Sequence, residues 1–406
     1  MLKDLRTAVD IKFLKGRAKI VKEYATGSRY VYQVSHNKNL YIIKGYEIVL
    51  EHLKAGNQES EERFTEALTT VSDIYQEYYF SKFASLFSQH FAKALEMDMN
   101  LRLALNDYSM SYLYIEILFE YGGDPLNQLD KLDVTSLYNL MRQSANALSI
   151  LHSTGITHLD IKPANMVYNK SADLLKIIDM GGSFGYGVSN KLYTPTVNMG
   201  GKIKELTREF SPPEVLKLER GQTPSNQVII GTIDVYCWAM TFYSLLLPKS
   251  PAQLQHEANY YKLQTEKEYN NFLKLVGSEL EGLSIEDKDK RRRDFIVGEL
   301  FRALCFKPEK RSKMPEIVER MKEFDRQENL KSGYLKADKE FKKKLMKILL
   351  IDLSEDVDTG KSIGEAKNSL KLLMNEINRS KEEYKEYSKR LKRNRDEAKS
   401  IGNLFL

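Results

Sequence analysis

The sequence predicts an α+β chain in which strands come first and helices follow. Lys19–Tyr24 and Tyr30–Ser35 alternate apolar and polar side chains, the two-residue period of a half-buried strand. Further on, Val134–Thr154 and Thr232–Leu247 have the apolar spacing and length of helices. A chain of 406 residues is long enough for about two or three units with cores of their own. We therefore expect a β-rich part near the N-terminus and a helical part after it.

Three short strands begin the β-rich part. They are predicted at Lys19–Tyr24, Tyr30–Ser35 and Leu40–Lys44. Turn-forming residues separate them, with Thr-Gly-Ser at 26–28 and His-Asn-Lys-Asn at 36–39.

A helical region and a fourth strand follow. Glu51–Leu95 has a helical pattern of charged and aromatic residues, with a turn at 89–93. Tyr112–Phe119 is predicted as a strand that ends in a turn at Gly122-Gly123, and Val134–Thr154 is then one long helix.

Four polar residues in the next stretch give the strongest functional signal. The carboxylates Asp160 and Asp179 are 19 positions apart, and Lys162 and Asn165 lie between them. Phosphoryl transfer from a nucleotide uses such a set. One carboxylate orients the attacking hydroxyl and accepts its proton, a carboxylate and an amide oxygen hold Mg²⁺, and an ammonium offsets the charge of the moving group.

A predicted hairpin joins these residues. Met166–Tyr168 and Leu174–Ile178 are two short apolar runs, and a polar turn lies between them. Such a hairpin would bring Asp160, Asn165 and Asp179 to one end of a lobe.

Two motifs in this stretch resemble those of protein kinases. His-Leu-Asp-Ile-Lys-Pro-Ala-Asn at 158–165 resembles the kinase catalytic loop, and Asp-Met-Gly at 179–181 resembles the Asp-Phe-Gly metal motif. Leu159 and Met180 depart from the usual arginine and phenylalanine, but neither position carries a group that does chemistry. The lysine–proline pair at 162–163 is similar to the serine/threonine branch. The resemblance implies a bilobal protein-kinase-like fold, with a small β-rich N-lobe and a large helical C-lobe.

The resemblance also implies a role for each polar residue of the loop. Asp160 would orient and deprotonate a serine or threonine hydroxyl of a protein substrate, and Lys162 would stabilise the transferred phosphoryl group. Asn165 and Asp179 would hold Mg²⁺, so the implied cofactors are ATP and Mg²⁺.

In the N-lobe, the third strand resembles the kinase strand that carries the ATP-binding lysine. Lys44 would then hold the α- and β-phosphates. The turn before the second strand would cover the phosphates with a single glycine, Gly27, where kinases have two or three, and Ser28 and Arg29 carry additional donors.

A glutamate from the helical region is expected to pair with Lys44 and fix its position. We predict Glu77, because it lies in the apolar-rich part of the helical pattern. Glu66 and Glu62 remain alternatives.

The segment after the fourth strand resembles the hinge between kinase lobes. Backbone groups of Glu120, Tyr121 and Gly122 would meet the edge of the adenine, with Phe119 at the gatekeeper position.

A 35-residue stretch after Asp179 resembles the kinase activation segment and ends in Pro-Pro-Glu at 212–214. The resemblance implies that Thr207 faces Asp160 and Lys162. Candidate phosphorylation sites are Ser183, Ser189, Thr194 and Thr196.

Two further contacts are implied in the C-lobe. Asp234 lies in a very apolar helix, where a carboxylate is costly unless it is paired. The resemblance makes it the residue that holds the catalytic-loop backbone near His158, and a role as an N-terminal helix cap would be compatible with that contact. The resemblance also predicts an ion pair between Arg311 and Glu214.

The kinase-like region is predicted to span residues 18–325, with an N-lobe at 18–121 and a C-lobe at 122–325. Residues 1–17 are a lead-in, and 326–406 form a charged helical extension.

The extension carries all of the net charge of +6, because residues 331–406 hold 19 Lys and Arg against 13 Asp and Glu. Residues 336–351 predict a basic amphipathic helix, and a weak heptad pattern follows at 366–399. Docking on the kinase lobe, a short coiled coil, and contact with a membrane or nucleic acid remain open for it.

Composition limits the remaining function classes. A charge-neutral body over residues 1–330 argues against nucleic-acid binding, and the longest apolar run is too short to span a bilayer. The two cysteines, Cys237 and Cys305, indicate a reducing compartment, and no secretory signal is recognised, so a cytoplasmic location is expected, with the nucleus also open.

These features predict an ATP-dependent serine/threonine protein kinase. A pseudokinase that acts as a binding or scaffold protein is the alternative from another class. A small-molecule kinase of the aminoglycoside or choline type shares the Asp…Asn…Asp trio but lacks the Pro-Pro-Glu segment and the Arg311 partner.

Overall fold

The computed structural model describes residues 8–11, 16–25, 29–51, 58–103, 110–130, 132–185, 207–219, 229–247, 250–257, 260, 265–281 and 289–329. The chain divides into two compact units, Met1–Pro315 and Glu316–Leu406. In the second unit, the described residues 316–329 are helical. The predictions for 336–351 and 366–399 lie outside the described residues and stay predictions.

A six-stranded sheet forms the N-terminal part of the first unit. Its strands are β1 (Ala8–Ile11), β2 (Gly16–Ala25), β3 (Arg29–His36), β4 (Asn39–Glu51), β5 (Ala94–Leu103) and β6 (Met110–Glu120). Their order in space is β1-β2-β3-β4-β6-β5, and every neighbouring pair is antiparallel. The three predicted N-terminal strands and the strand predicted at 112–119 are confirmed as β2, β3, β4 and β6.

The sheet extends beyond the predicted strands in three places. β1 lies in the segment predicted as a lead-in. Glu51 and Ala94–Leu95, which were assigned to the helical pattern, are strand residues. These residues are in strands because they pair with β6, in which Met110 lies opposite Glu51. Such long-range pairing overrides the helix propensity of leucine, methionine and glutamate.

Helix α1 (Gln58–Phe87) is a single 30-residue helix that packs on this sheet. Ala67 and Ile74 join one apolar cluster with Ile115 and Ile117 of β6. The same helix face carries Glu77, which is 3% exposed. Packing of α1 on the sheet therefore turns a glutamate toward the interior.

The helical part of the first unit is built around one fully buried helix. Tyr236, Trp238 and Met240 of this helix are 0% exposed, because a helix that is apolar on all sides must be covered on all sides. The Trp238 indole N–H donates to the Ser144 hydroxyl at 2.9 Å. Across the described ranges, the helices of this part are α2 (Val134–Ser153), α3 (Pro213–Glu219), α4 (Ile230–Leu246, the buried one), α5 (Pro251–Glu257), α6 (Glu266–Glu281) and α7 (Lys290–Ala303).

Five short strands position the loops that carry the candidate site. They are β7 (Asp124–Pro125), β8 (Ile156–Thr157), β9 (Met166–Asn169), β10 (Leu174–Ile177) and β11 (Phe184–Gly185). The predicted hairpin is confirmed as β9 and β10, with Met166 opposite Ile177. Since β8 also pairs with β11, the segments 158–165 and 178–183 lie side by side.

The β-sheet part and the mainly helical part together confirm the predicted α+β class. Within the described ranges, no helix combines the length and the apolar character needed to cross a bilayer.

Candidate active site

The segment 158–165 is held by a buried carboxylate of α4. Asp234 accepts hydrogen bonds from the backbone N–H of His158 at 2.8 Å and of Leu159 at 2.7 Å. Its Oδ2 also lies 2.8 Å from His152 Nε2. Burial by itself raises the pKa of Asp234, but the hydrogen bonds from His152 and the His158 amide hold that pKa below its ordinary value. The predicted contact is confirmed, and the compatible role as a helix cap is wrong because Ile229 is at the N-cap of α4.

This anchoring supports an unusual backbone conformation. Leu159 has a φ of 68°, in the left-handed region that non-glycine residues rarely adopt, and its side chain is 1% exposed. The apolar side chain packs in the interior, while both neighbouring amides are tied to Asp234. The turn then directs Asp160 toward the cleft side of the segment.

Asp160 stands in a compact hydrogen-bonded group. Lys162 Nζ donates to its Oδ2 at 2.7 Å, and the Asn165 amide donates to the same oxygen at 2.9 Å. The Thr207 hydroxyl donates to Oδ1 at 2.7 Å and accepts from Lys162 Nζ at 2.8 Å. The predicted approach of Thr207 to Asp160 and Lys162 is thus confirmed.

A second group of charges comes from the sheet, α1 and the segment 178–183. Lys44 Nζ lies 2.5 Å from Glu77 Oε1 and 2.8 Å from Asp179 Oδ1. Tyr46, which the sequence did not single out, donates its hydroxyl to Glu77 Oε2 at 2.7 Å. The alternatives Glu62 and Glu66 are exposed on α1. The structure therefore pairs Lys44 with Glu77, as predicted.

The pKa values in this group reflect burial and mutual attraction. Burial lowers the pKa of Lys44, but Asp179 and Glu77 outweigh it and leave that pKa above its ordinary value. Burial raises the pKa of Glu77, and the nearby Lys44 opposes this only in part. For Asp179, burial is outweighed by Lys44 and then Arg29, so its pKa lies well below the ordinary range. Asp179 is therefore anionic at neutral pH.

The two charge groups meet where 158–165 and 178–183 run side by side. The Ile178 N–H donates to the Asn165 carbonyl at 3.0 Å, and His158 Nε2 lies 2.9 Å from the Ile178 carbonyl. Asp179, like Leu159, has a positive φ, at 65°. These contacts place the Asp160 group next to the Asp179 group.

The donor set fits a magnesium ion that also takes ligands from phosphate. The Asn165 side-chain nitrogen donates to both the carbonyl and the carboxylate of Asp160, so its side-chain oxygen is the atom left to act as a ligand. With Asp179 this offers two oxygen donors, which suits Mg²⁺ in nucleotide sites. Among the described residues, no cluster of three or more His, Cys, Asp or Glu could hold a metal by itself. The roles of Asn165 and Asp179 as metal ligands stay predictions.

The predicted hinge begins at Glu120, the last residue of β6, and continues through residues without regular structure as far as β7. The Glu120 carboxylate turns to Lys176 Nζ at 2.5 Å and the Lys93 N–H at 2.9 Å. A Cβ on Gly122 would lie 2.7 Å from Val167, and a Cβ on Gly123, with φ +118°, would lie 2.2 Å from the backbone of Tyr168. The glycine pair therefore lets the backbone pass close to β9. Burial, followed by the Asp124 carboxylate, raises the pKa of Tyr121 to about 12.

Other predicted residues have different outcomes. Gly27 lies outside the described residues, as do Ser189, Thr194 and Thr196. Ser183 is 0% exposed, so its candidacy as a phosphorylation site in this conformation is wrong. Burial follows because the segment 180–183 turns into β11 and packs on α1.

The end of the activation-like segment is held by a buried ion pair. Arg311 donates to both carboxylate oxygens of Glu214, at 2.5 and 2.7 Å, which confirms the predicted pair. The guanidinium also donates to the carbonyls of Cys305 at 2.8 Å and Phe306 at 3.2 Å.

Two further contacts of this region were not predicted from the sequence. Gln76 on α1 donates its side-chain amide to the backbone carbonyls of Gly181 and Ser183. Arg29 lies 3.2 Å from Asp179 Oδ2. The two-residue period of β3 and β4 could have placed Arg29 and Tyr46 on the face of Lys44, but the register that pairs them was not predictable locally.

We expect the stability that Asp179 contributes to be constant near neutral pH and to fall on acidification. Its folded-state pKa lies below the ordinary value of about 3.9, so this contribution is fully present above that value and is lost as the pH falls through the folded-state pKa. The measurement is the difference in melting temperature between the wild type and Asp179→Asn as a function of pH. We expect this difference to narrow below about pH 4, and a difference that widens there would contradict the argument.

Comparison with known proteins yields one family and several relatives. The family model of the protein kinase domain matches residues 88–324. The serine/threonine-protein kinase ssp1 of Schizosaccharomyces pombe is 28% identical over 225 residues, which is 54% of this chain and 31% of that protein. The serine/threonine-protein kinase mos of Patiria pectinifera is 29% identical over 143 residues, 33% of this chain and 37% of that protein. Aurora kinase C of Mus musculus is 26% identical over 165 residues, 40% of this chain and 53% of that protein. The chain thus spans about a third to a half of the length of these curated relatives.

Proposed function

The chain belongs to the protein kinase family, and from that premise we propose that it is an ATP-dependent serine/threonine protein kinase. The reaction would transfer the γ-phosphoryl group of ATP to serine or threonine hydroxyls of a protein substrate. The relatives that are named as serine/threonine kinases support the choice of acceptor.

The observation that carries the proposal is the meeting of two charge groups from distant parts of the chain. One is Lys44, Glu77 and Asp179, linked at 2.5 and 2.8 Å. The other is Asp160 and Lys162, linked at 2.7 Å. Bound Mg²⁺-ATP would supply the phosphoryl group and a metal that offsets its charge.

Each polar residue of the proposed site then has its own role in the reaction. Asp160 would orient the substrate hydroxyl and accept its proton at Oδ1, the oxygen that already accepts a hydrogen bond from the hydroxyl of Thr207. Lys162 would offset the charge of the phosphoryl group in transfer. Asn165 and Asp179 would hold the metal, and Glu77 would keep Lys44 at the α- and β-phosphates.

The adenine is proposed to bind at the hinge and the phosphates under the turn that contains Gly27. Backbone groups of Glu120, Tyr121 and Gly122 would meet the adenine edge. The Glu120 carboxylate, held by Lys176, stabilises the hinge rather than contacting the base.

A binding or scaffold protein without transfer activity is the second candidate. The observation that favours it is that both oxygens of Asp179 are engaged by cations of the chain, Lys44 and Arg29. Such a protein would keep the fold and use it to bind partners.

Label transfer distinguishes the two candidates. Purified protein is incubated with ATP labelled at the γ-phosphate, Mg²⁺ and a generic basic acceptor protein, and the labelled amino acids are identified. We expect phosphoserine and phosphothreonine in the acceptor. Nucleotide binding without any label in the acceptor would favour the scaffold, and label only on tyrosine would overturn the serine/threonine assignment.

A further inference from the structure

Arg29 lies on the same face of the sheet as Lys44. In the register of β3 and β4, Arg29 stands opposite Tyr46, and Val31 stands opposite Lys44. Directly opposite residues of an antiparallel pair share a face, and so do residues two apart along a strand. Arg29 therefore extends into the cleft from the strand that follows the predicted phosphate-covering turn.

The carboxylate of Asp179 is divided between two cations. Lys44 Nζ lies 2.8 Å from Oδ1, and the Arg29 guanidinium lies 3.2 Å from Oδ2. The Lys44 side chain is 8% exposed and is also fixed by Glu77, whereas the Arg29 side chain is 52% exposed. Arg29 is thus the partner that can leave Asp179 without disturbing the core.

The aromatic ring of Tyr46 supports Arg29 independently of Asp179. The guanidinium lies 5.7 Å from the centre of the Tyr46 ring, within the range of a cation–π contact. Tyr46 is itself tied to Glu77 through its hydroxyl at 2.7 Å. The ring therefore keeps the arginine in the cleft when its contact with Asp179 is broken.

A metal ion and the guanidinium cannot share one carboxylate oxygen. Mg²⁺ requires short oxygen contacts in near-octahedral geometry, and two cations at contact distance repel each other strongly. A guanidinium, in contrast, has a planar set of N–H donors that matches phosphate oxygens. When a metal–nucleotide complex binds, Arg29 would lose Asp179 as a partner and gain the phosphate oxygens as new ones.

We propose that Arg29 and Mg²⁺ exchange at Asp179. The guanidinium holds Oδ2 when no nucleotide is bound, and it moves to the phosphate oxygens when the metal of a nucleoside triphosphate complex takes Oδ2. Arg29 is therefore both a competitor of the metal and a ligand of the phosphates. The inference rests on the proposed nucleotide site but not on the transfer of a phosphoryl group.

The test is the binding of a non-hydrolysable ATP analogue to the full chain, measured by calorimetry in wild type and Arg29→Gln. Mg²⁺ alone is titrated first. Without the competitor at Asp179, we expect the half-saturating Mg²⁺ concentration in this nucleotide-free titration to fall about threefold, the size of a partly exposed ion pair. Without the phosphate ligand, we expect the Kd of the analogue at saturating Mg²⁺ to rise about tenfold, the size of a charged hydrogen bond.

Two further variants sharpen the result. Arg29→Lys keeps the charge and should restore part of the affinity for the analogue. Lys19→Gln removes a charge from the exposed side of β2 and should match the wild type in both titrations. Melting temperatures of all variants verify folding.

A lower half-saturating Mg²⁺ concentration together with a higher Kd of the analogue in Arg29→Gln would support the exchange. A general loss of site structure would instead weaken both Mg²⁺ binding and analogue binding, and that result would overturn the proposal. An unchanged metal requirement, or an unchanged Kd at saturating Mg²⁺, would overturn it as well. A wild type that binds the analogue while Arg29→Gln behaves identically removes only this inference, whereas a wild type that binds no metal–nucleotide complex removes the proposed function too.

Discussion

Replacing Asp160 by asparagine is expected to lower the rate constant of phosphoryl transfer by about 10²–10⁴-fold, the usual contribution of a positioned base. Asparagine has nearly the same shape and still accepts a hydrogen bond, but it cannot take a proton at pH 7. Asp160 Oδ1 is the oxygen that accepts a hydrogen bond from a hydroxyl, that of Thr207, at 2.7 Å. The measurement is the single-turnover rate with labelled ATP and an acceptor peptide, beside the Kd of the ATP analogue.

The affinity for the analogue separates a chemical effect from misfolding. Asp160 is not among the proposed contacts of the nucleotide, so the Kd should change by less than about threefold, or roughly 0.7 kcal/mol. Asp130→Asn is a matched control, since Asp130 is exposed and lies outside the candidate site. Transfer that survives in Asp160→Asn would remove Asp160 from the mechanism.

Replacing Arg311 by alanine is expected to destabilise the first unit by about 3–5 kcal/mol, the usual cost of removing one partner of a buried ion pair. The Arg311 side chain is 0% exposed and that of Glu214 is 8% exposed, so the carboxylate would stay buried without its partner. The carbonyls of Cys305 and Phe306 would lose donors as well. The measurement is the free energy of unfolding from urea denaturation.

An exposed ion pair of the same type is the control for this prediction. Arg63 lies 2.6 Å from Glu59 on α1, and both side chains are more than half exposed. Arg63→Ala should therefore cost less than about 1 kcal/mol. The double variant Arg311→Met with Glu214→Leu should be more stable than Arg311→Ala, because it leaves no charge unpaired. Equal losses of unfolding free energy in Arg311→Ala and Arg63→Ala would contradict the prediction that the buried pair is the costlier one to break.

Local patterns predicted those parts of the protein that depend on residues close together in the chain. The β9–β10 hairpin follows from two short apolar runs around a polar turn, and it is confirmed with Met166 opposite Ile177. The candidate-site residues Asp160, Lys162 and Asn165 lie within six positions, so their grouping needs little tertiary information.

Burial was harder to predict than element type. The helical pattern before β5 contains several glutamates. Its apolar-rich part favoured Glu77, but Glu62 and Glu66 stayed open until packing on the sheet showed that Glu77 is buried and the other two are exposed. Packing also explains Ser183. Its local sequence is that of an ordinary loop hydroxyl, but the residue is fully buried beneath α1. The local sequence does not specify which part of the fold packs over a given residue.

The chemical groups available for the proposed phosphoryl-transfer site, and the short motifs that hold some of them together, follow from the order of residues in the chain. Which of those groups meet depends on the folded structure. Lys44 and Asp179 are 135 positions apart, and Arg29 and Asp179 are 150 positions apart, yet each pair is in hydrogen-bond contact. The physical reason is that contacts between charges depend on distances of a few ångströms, and these are set by strand register and helix packing rather than by separation along the chain.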